Sequence, residues 1–237
     1  MGRSKVPRRG RSQARLTTSL VPRTRIRART ALICIGIVAL GLGALHAVDR
    51  LSGPAHIGRD GALVLASIDS PTHGHASAKV HIVEFLDPAC GACAYLYPVV
   101  ERVIEKNPEK IRLSIRHVAF HEGSEFAIRV LEASREQGKY WELLDALLST
   151  QRYWAPDHRP RPERIRRVAS LVDLDDERLE RDLRESTVRE RIAQDRLAAR
   201  ALKVSTTPRY FVNGRALTGR REAQLLRLIS QELHEAY

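Results

Sequence analysis

The sequence predicts an α/β fold: a mixed sheet with helices on both faces, an inserted helical subdomain, and a membrane helix ahead of it all. Three observations predict it. Strand-like and helix-like periodicities follow in the order strand, helix, strand, helical block, strand, hairpin, strand, helix. A single Cys-x-x-Cys, Cys90 to Cys93, falls where the first strong strand gives way to the first helix. An apolar run over residues 31–48 stands ahead of this body, behind a strongly basic tail.

The tail accounts for the charge. Residues 1–30 hold ten Lys or Arg and no Asp or Glu, so of the formal +12 little remains for the body, where 30 basic residues face 28 acidic ones. A nearly neutral body removes the main support for nucleic-acid binding. Ala31 to Leu45 is apolar or Gly throughout, and His46, Ala47 and Val48 extend the stretch to 18 positions before Asp49. That lies between a secretory apolar region of about 7–15 residues and a membrane span of about 20. The basic flank assigns the N-terminus to the cytoplasm and everything after Arg50 to the outside. A long basic stretch and a poor cleavage site at Leu45-His46-Ala47 favour an uncleaved anchor over residues 31–50. A cleaved signal is the alternative, and it exports the same body. Arg8-Arg9 has no apolar residue close behind it, so it is not read as a twin-arginine signal.

Residues 51–76 read as a linker with a short strand at Ala62 to Ile68 and a turn-rich stretch at Ser70 to Ser77. The organised domain is expected over 77–237. Val80 to Leu86 has the aliphatic and aromatic richness of a buried strand, with His81 and Glu84 as exceptions. From Cys90 a helix is predicted with Tyr95, Val99, Val103 and Ile104 on its apolar stripe, ending before Asn107-Pro108. Ile111 to Val118 alternates as a strand does. Residues 122–203 read as the helical insertion. It carries Ala127, Val130 and Leu131, then Trp141, Leu144 and Leu148, breaks at Ala155-Pro156-Asp157, and resumes with Ile165, Val168 and Val172. Leu179 and Leu183 sit in a heavily charged stretch expected to be a solvated helix face. Thr187-x-x-Glu190 fits a capping box opening a helix with Ile192, Ala193 and Leu197. Arg209 to Val212, the turn at Asn213-Gly214 and Arg215 to Leu217 form a hairpin, and Ala223 to Leu233 closes as an amphipathic helix.

The chemistry concentrates at Cys90-Gly91-Ala92-Cys93. A cysteine at a helix N-terminus meets unpaired amides and the positive end of the macrodipole, which lower its pKa and populate the thiolate. A second cysteine one turn on can close a disulfide with it. Cys90 is then the attacking sulfur and Cys93 the resolving one. Glu84, six residues before Cys90, is a carboxyl in an apolar strand. If alternation turns it inward it can shuttle the proton of Cys93. Pro208 opens a strand, where its missing donor is tolerated. A structural zinc needs four ligands, and no second Cys pair exists outside Cys34 in the apolar run; copper transfer recruits Met or His, and the only Met is Met1. His81, His117 and His121 are read as surface or strand residues. No metal and no organic cofactor is expected. A non-catalytic interaction module and a CxxC metal carrier stand as the alternatives.

Four segments together resemble the DsbA-like branch of the thioredoxin superfamily, over about residues 76–236: Glu84 to Cys93, Gln137-Gly-Lys-Tyr-Trp-Glu-Leu-Leu-Asp145, Val204-Ser-Thr-Thr-Pro208, and Tyr210 to Gly219. The resemblance implies a thioredoxin fold and thiol–disulfide oxidoreductase activity toward exported protein thiols and disulfides. It makes Cys90 the exposed attacking cysteine, Cys93 the buried resolving one, Glu84 the buried acid and Pro208 a cis-proline facing the pair. Thr207, with Gly91 and Ala92, would contact substrate, Thr207 by pairing its backbone with an extended segment. Turnover is expected to require a membrane redox partner for recycling, the charge balance of the body leaves no nucleic-acid partner, and a monomer is the default. Gly91-Ala92 departs from the Pro-His dipeptide of strongly oxidising members, leaving no histidine between the cysteines. The loop His117 to Ser124 lacks a proline common there. The direction of exchange is left open.

Overall fold

A computed structural model describes residues 67, 69–219 and 221–237. The basic tail, the apolar run with Cys34, and most of the strand expected at Ala62 to Ile68 lie outside the described residues. Among those described, no helix is long and apolar enough to cross a membrane.

The central sheet has five strands in the order β1-β3-β2-β4-β5. These are β1 (Thr72–Gly74), β2 (Val80–Leu86), β3 (Ile111–His117), β4 (Arg209–Val212) and β5 (Arg215–Ala216). β2 and β3 run parallel, while β1 on β3, β4 on β2 and β5 on β4 are antiparallel. The parallel pair is bridged by α1 (Gly91–Glu105), as a parallel connection requires. The mixed sheet expected from the order of periodicities is therefore present.

Period-2 alternation sorts the two faces. Val80, Ile82, Leu86, Ile111, Leu113, Ile115, Tyr210 and Val212 share one core with Cys93, Leu96, Val100 and Ile104 of α1, and with Leu225, Leu228 and Ile229 of α8 (Glu222–Ala236). Val83, Phe85 and Phe211 point the other way, against Ala198, Ala199 and Leu202 at the end of α7 (Ser186–Ala201). Glu84 occupies the first face, in register with Tyr210 and Ile115.

Between β3 and β4 lies the helical insertion: α2 (Ser124–Ser134), α3 (Tyr140–Ser149), α4 (Gln151–Trp154), α5 (Pro162–Ala169), α6 (Asp176–Asp182) and α7. Trp154 is fully buried there and its indole donates to the Leu147 carbonyl at 2.6 Å. A 3₁₀ turn at Pro156–His158 follows, where the break at Ala155-Pro156-Asp157 was expected.

Four expectations need correction. The Ser70 to Ser77 stretch contains β1, an edge strand made possible by the pairing of Thr72 with Ser114, whose hydroxyls lie 2.6 Å apart. Tyr95 is exposed and donates its hydroxyl to Glu222; Val99 and Ile104 are buried as expected and Val103 is half-buried, while the buried side of α1 also takes in Cys93, Leu96, Tyr97 and Val100. The capping box at Thr187 is absent because α7 starts two residues earlier: Glu185 is the N-cap and Thr187 lies inside the helix. The buried face of α7 is Val188, Ile192, Asp195 and Ala199, while Ala193 and Leu197 are exposed. Asp195 is on that face because its carboxylate accepts from Arg116 Nε and from the His117 amide, both at 2.7 Å, tying α7 to β3.

Candidate active site

β2 ends at Leu86, and Asp87-Pro88 turns the chain so that the Cys90 amide donates to the Asp87 carbonyl at 2.9 Å. Cys90 is the N-cap of α1, with φ −79° and ψ 118°; no side-chain oxygen caps the helix and no acidic residue stands in its first turn. The first-turn amides are therefore left for the sulfur. Both cysteines are free thiols. Cys93 is wholly buried, whereas Cys90 keeps 8% of its surface open, which makes Cys90 the one a partner can reach.

Across from α1, the Thr207–Pro208 peptide is cis, and the Cys90 thiol donates to the Thr207 carbonyl at 3.3 Å. Donation from the Cys93 thiol, outweighing burial and helped by the Thr207 side chain and by the Cys93 and Ala92 amides, brings the Cys90 pKa down from 9.0 to about 5. Cys93 moves the opposite way: burial, its hydrogen bond to Cys90 and the nearby Glu84 charge push it well above 9.0. At neutral pH one sulfur is charged and the other holds its proton.

Glu84 is fully buried, and alternation does turn it toward this face. Burial pushes its carboxyl up from 4.5 to about 8; the neighbouring Tyr210 opposes the shift and the Cys90 charge adds to it. Neither carboxyl oxygen has a hydrogen-bond partner among the described residues, nor does the Tyr210 hydroxyl. The structure thus places Glu84, Cys90, Cys93 and the Thr207–Pro208 peptide together, and Gly91 and Ala92, half-buried, lie between the cysteines.

The loop before Cys90 is held by side chains that sequence reasoning missed. Asp87 was read only as a strand breaker. It is fully buried, with Oδ1 accepting from the Ala89 amide at 2.9 Å and Oδ2 from the Phe120 and His121 amides and the His121 ring at 2.8–2.9 Å. Gln151 of α4 donates to the Pro88 carbonyl at 2.6 Å and the Cys90 carbonyl at 3.0 Å. His158 donates from Nδ1 to the Ala89 carbonyl at 2.8 Å. Only Asp87 had a local signal, an acid two residues before the amide it accepts; Gln151 and His158 arrive from 61 and 69 residues away.

The histidines also differ from expectation. His117 is a strand residue, but a buried one, held down to about pKa 4 by burial and 2.8 Å from the Tyr140 hydroxyl. His121 is not a plain surface residue, since its ring is fixed by Asp87. His81 lies half-buried beside the Ser114 hydroxyl at 2.8 Å. Among the described residues, no group of three or more His, Cys, Asp or Glu is placed to hold a metal ion. A groove of about 950 Å³ opens beside the pair, lined by Gly91, Ala94, Tyr95, Gln151, Tyr153 and His158.

The family model described as Thioredoxin matches residues 66–231. A thioredoxin-like oxidoreductase from Silicibacter pomeroyi DSS-3 is 29% identical with a TM-score of 0.64, covering 73% of this chain and 96% of that one. Oxidised BdbD from Bacillus subtilis is 22% identical (TM-score 0.61, 70% and 93% covered), and alpha-DsbA1 from Wolbachia pipientis is 17% identical (0.64, 73% and 95%). These two show the same fold. Among curated proteins, an Na(+)/H(+) antiporter, NhaA 3 of Salinispora tropica, is 35% identical over 145 residues, 60% of this chain and 21% of the antiporter. A second, NhaA 1 of Mycolicibacterium gilvum, is 26% identical over 84% of this chain and 32% of its own. The chain spans about a fifth to a third of the length of these curated relatives.

Proposed function

The chain belongs to the thioredoxin family, and on that premise we propose that it is an extracytoplasmic, DsbA-like oxidoreductase that exchanges disulfides with protein substrates through Cys90 and Cys93. The observation that carries the reading is the sulfur of Cys90. It caps α1, faces the Thr207–Pro208 carbonyl loop, and has its pKa drawn down to about 5 while its neighbour keeps its proton.

The Cys90 thiolate attacks a substrate disulfide, forming a mixed disulfide and releasing one substrate thiolate. Cys93 then gives its proton to Glu84 in the fraction of molecules in which that carboxyl is ionised, and its sulfur attacks Cys90 Sγ. The second substrate sulfur leaves, the Cys90–Cys93 disulfide forms, and two electrons have passed to the substrate. Run in reverse, a substrate thiolate attacks Cys90 Sγ, Cys93 leaves and takes a proton from Glu84, and a second substrate thiolate displaces Cys90. A carboxyl titrating at about 8 suits both directions near neutral pH. The Thr207 backbone would align an extended substrate segment. Continued turnover needs a second redox protein to restore the pair. The apolar run at 31–48 behind ten basic residues supports an anchored domain facing away from the cytoplasm.

The test uses the full chain with a disulfide-bonded peptide and its reduced form. The reading expects exchange in the unaltered protein, none in Cys90→Ser, and in Cys93→Ser a mixed disulfide to Cys90 that accumulates. Exchange surviving in Cys90→Ser contradicts it.

A further inference from the structure

We propose that His158, borne by the helical insertion, is the positioning residue that sets the reactivity of Cys90 and requires residue 91 to be glycine. The proposal rests on the exchange function and adds a part of the molecule to it. Asp157 and His158 both take left-handed backbone, φ +52° and +58°. Few side chains adopt this conformation, and consecutive residues in it persist only where the surroundings hold them. The result of that turn is to aim one imidazole at the redox loop.

Among the described residues the ring meets Ala89, His121 and Gly91. Its Nδ1–H is given to the Ala89 carbonyl at 2.8 Å. One face stacks on His121, with centroids 5.0 Å apart and planes 28° from parallel. Its Cε1 lies against Gly91, where a Cβ would sit only 3.1 Å away. His121 in turn gives its Nδ1–H to Asp87, whose other oxygen takes the Ala89 amide. Ala89, the residue before Cys90, is thus gripped at its amide from β2's end and at its carbonyl from the insertion, and Gln151 holds the Pro88 and Cys90 carbonyls on either side. This grip fixes how Cys90 sits against its neighbours: the Cys93 thiol, which lowers the Cys90 pKa most, then Thr207, and last the Cys93 and Ala92 amides.

The titratable groups around the ring are Asp157 on its own turn, His121 from the β3–α2 loop and Asp87 from the β2–α1 loop; Arg152 and Tyr95 line the groove it faces. Cys90 itself faces Glu84 and Cys93. None of these is altered in the test. The rate of iodoacetamide alkylation of Cys90 is followed from pH 3 to pH 10 in the reduced full chain, with thermal unfolding alongside.

His158→Ala is expected to move the alkylation midpoint up by about one unit. His158→Asn, whose amide N–H can reach the Ala89 carbonyl, should restore it. Gly91→Ala, acceptable to a helix in itself, should raise the midpoint by crowding the ring, and should have no further effect when combined with His158→Ala. An unchanged midpoint in Gly91→Ala or in folded His158→Ala, or failure of His158→Asn to restore it, overturns the proposal. If the unaltered chain exchanges disulfides and these profiles coincide, the role of His158 fails and the exchange function stands. If the profiles separate while the unaltered chain exchanges nothing, the function fails instead.

Discussion

At Cys90 the decisive feature is a vacancy in the ordinary capping scheme: the helix start has no oxygen side chain, so a sulfur takes that place. Glu84 is its counterpart, an acid kept neutral by burial. The carboxyl titrates at about 8 in the folded chain and at 4.5 when exposed, so the native state binds the extra proton in between. Its contribution is fully present below pH 4.5 and is lost as pH rises through about 8. Glu84→Gln removes this dependence. Measured on the oxidised protein, where Cys90 has no thiolate to oppose the trend, the drop in thermal midpoint from pH 5 to pH 8 should shrink by an amount equivalent to roughly 3 kcal/mol. The same variant should slow resolution of the mixed disulfide at pH 7 by at least about tenfold, readable by acid quench. An unaltered pH trend together with an unaltered rate contradicts the assignment. Inward Glu84 was legible, because Val80, Ile82 and Leu86 share its parity. Gln151 and His158 were not, since contacts across 61 and 69 residues leave no local pattern.

Among the elements, the insertion is the part whose role outgrew its reading. Its helices were recognisable by apolar spacing, yet the buried side of α7 includes Asp195, and a carboxylate on a core face breaks the pattern that spacing reads. β1 was hidden for another reason: a three-residue edge strand has no periodicity, and only its partner Ser114 reveals it. What seats α4 and the following turn is Trp154, fully buried and bonded to the Leu147 carbonyl, with its own carbonyl accepting from the Arg161 amide at 2.7 Å. Trp154→Ala should cost about 3–5 kcal/mol of stability. It should also raise the Cys90 alkylation midpoint, because the bearings of Gln151 and His158 loosen with it. Denaturant unfolding and the alkylation profile check the two halves; a destabilised but folded variant with an unshifted profile would separate the insertion from the site.

For the whole molecule, one sheet supports two different tasks. Its first face carries Glu84 beneath the cysteine pair, and its second face is closed by α7, whose ion pair to β3 anchors the insertion to the strand beside β2. Such a frame was legible as strand and helix order, and the position of the cysteine pair at a strand-to-helix junction followed from it. The electrostatic split between two sulfurs one turn apart is the claim on which the exchange chemistry depends. Its sign is definite: the Cys90 pKa is depressed, so the native reduced chain gains stability that is fully present above the ordinary thiol pKa of 9.0 and is lost as pH falls through about 5. Titration of thiolate absorbance at 240 nm in the reduced full chain, with Cys90→Ser beside it, measures this directly. The account predicts one thiolate appearing with a midpoint near pH 5 and missing from Cys90→Ser. Absence of any thiolate until about pH 8.5, the range of a free cysteine, or its persistence in Cys90→Ser, contradicts it.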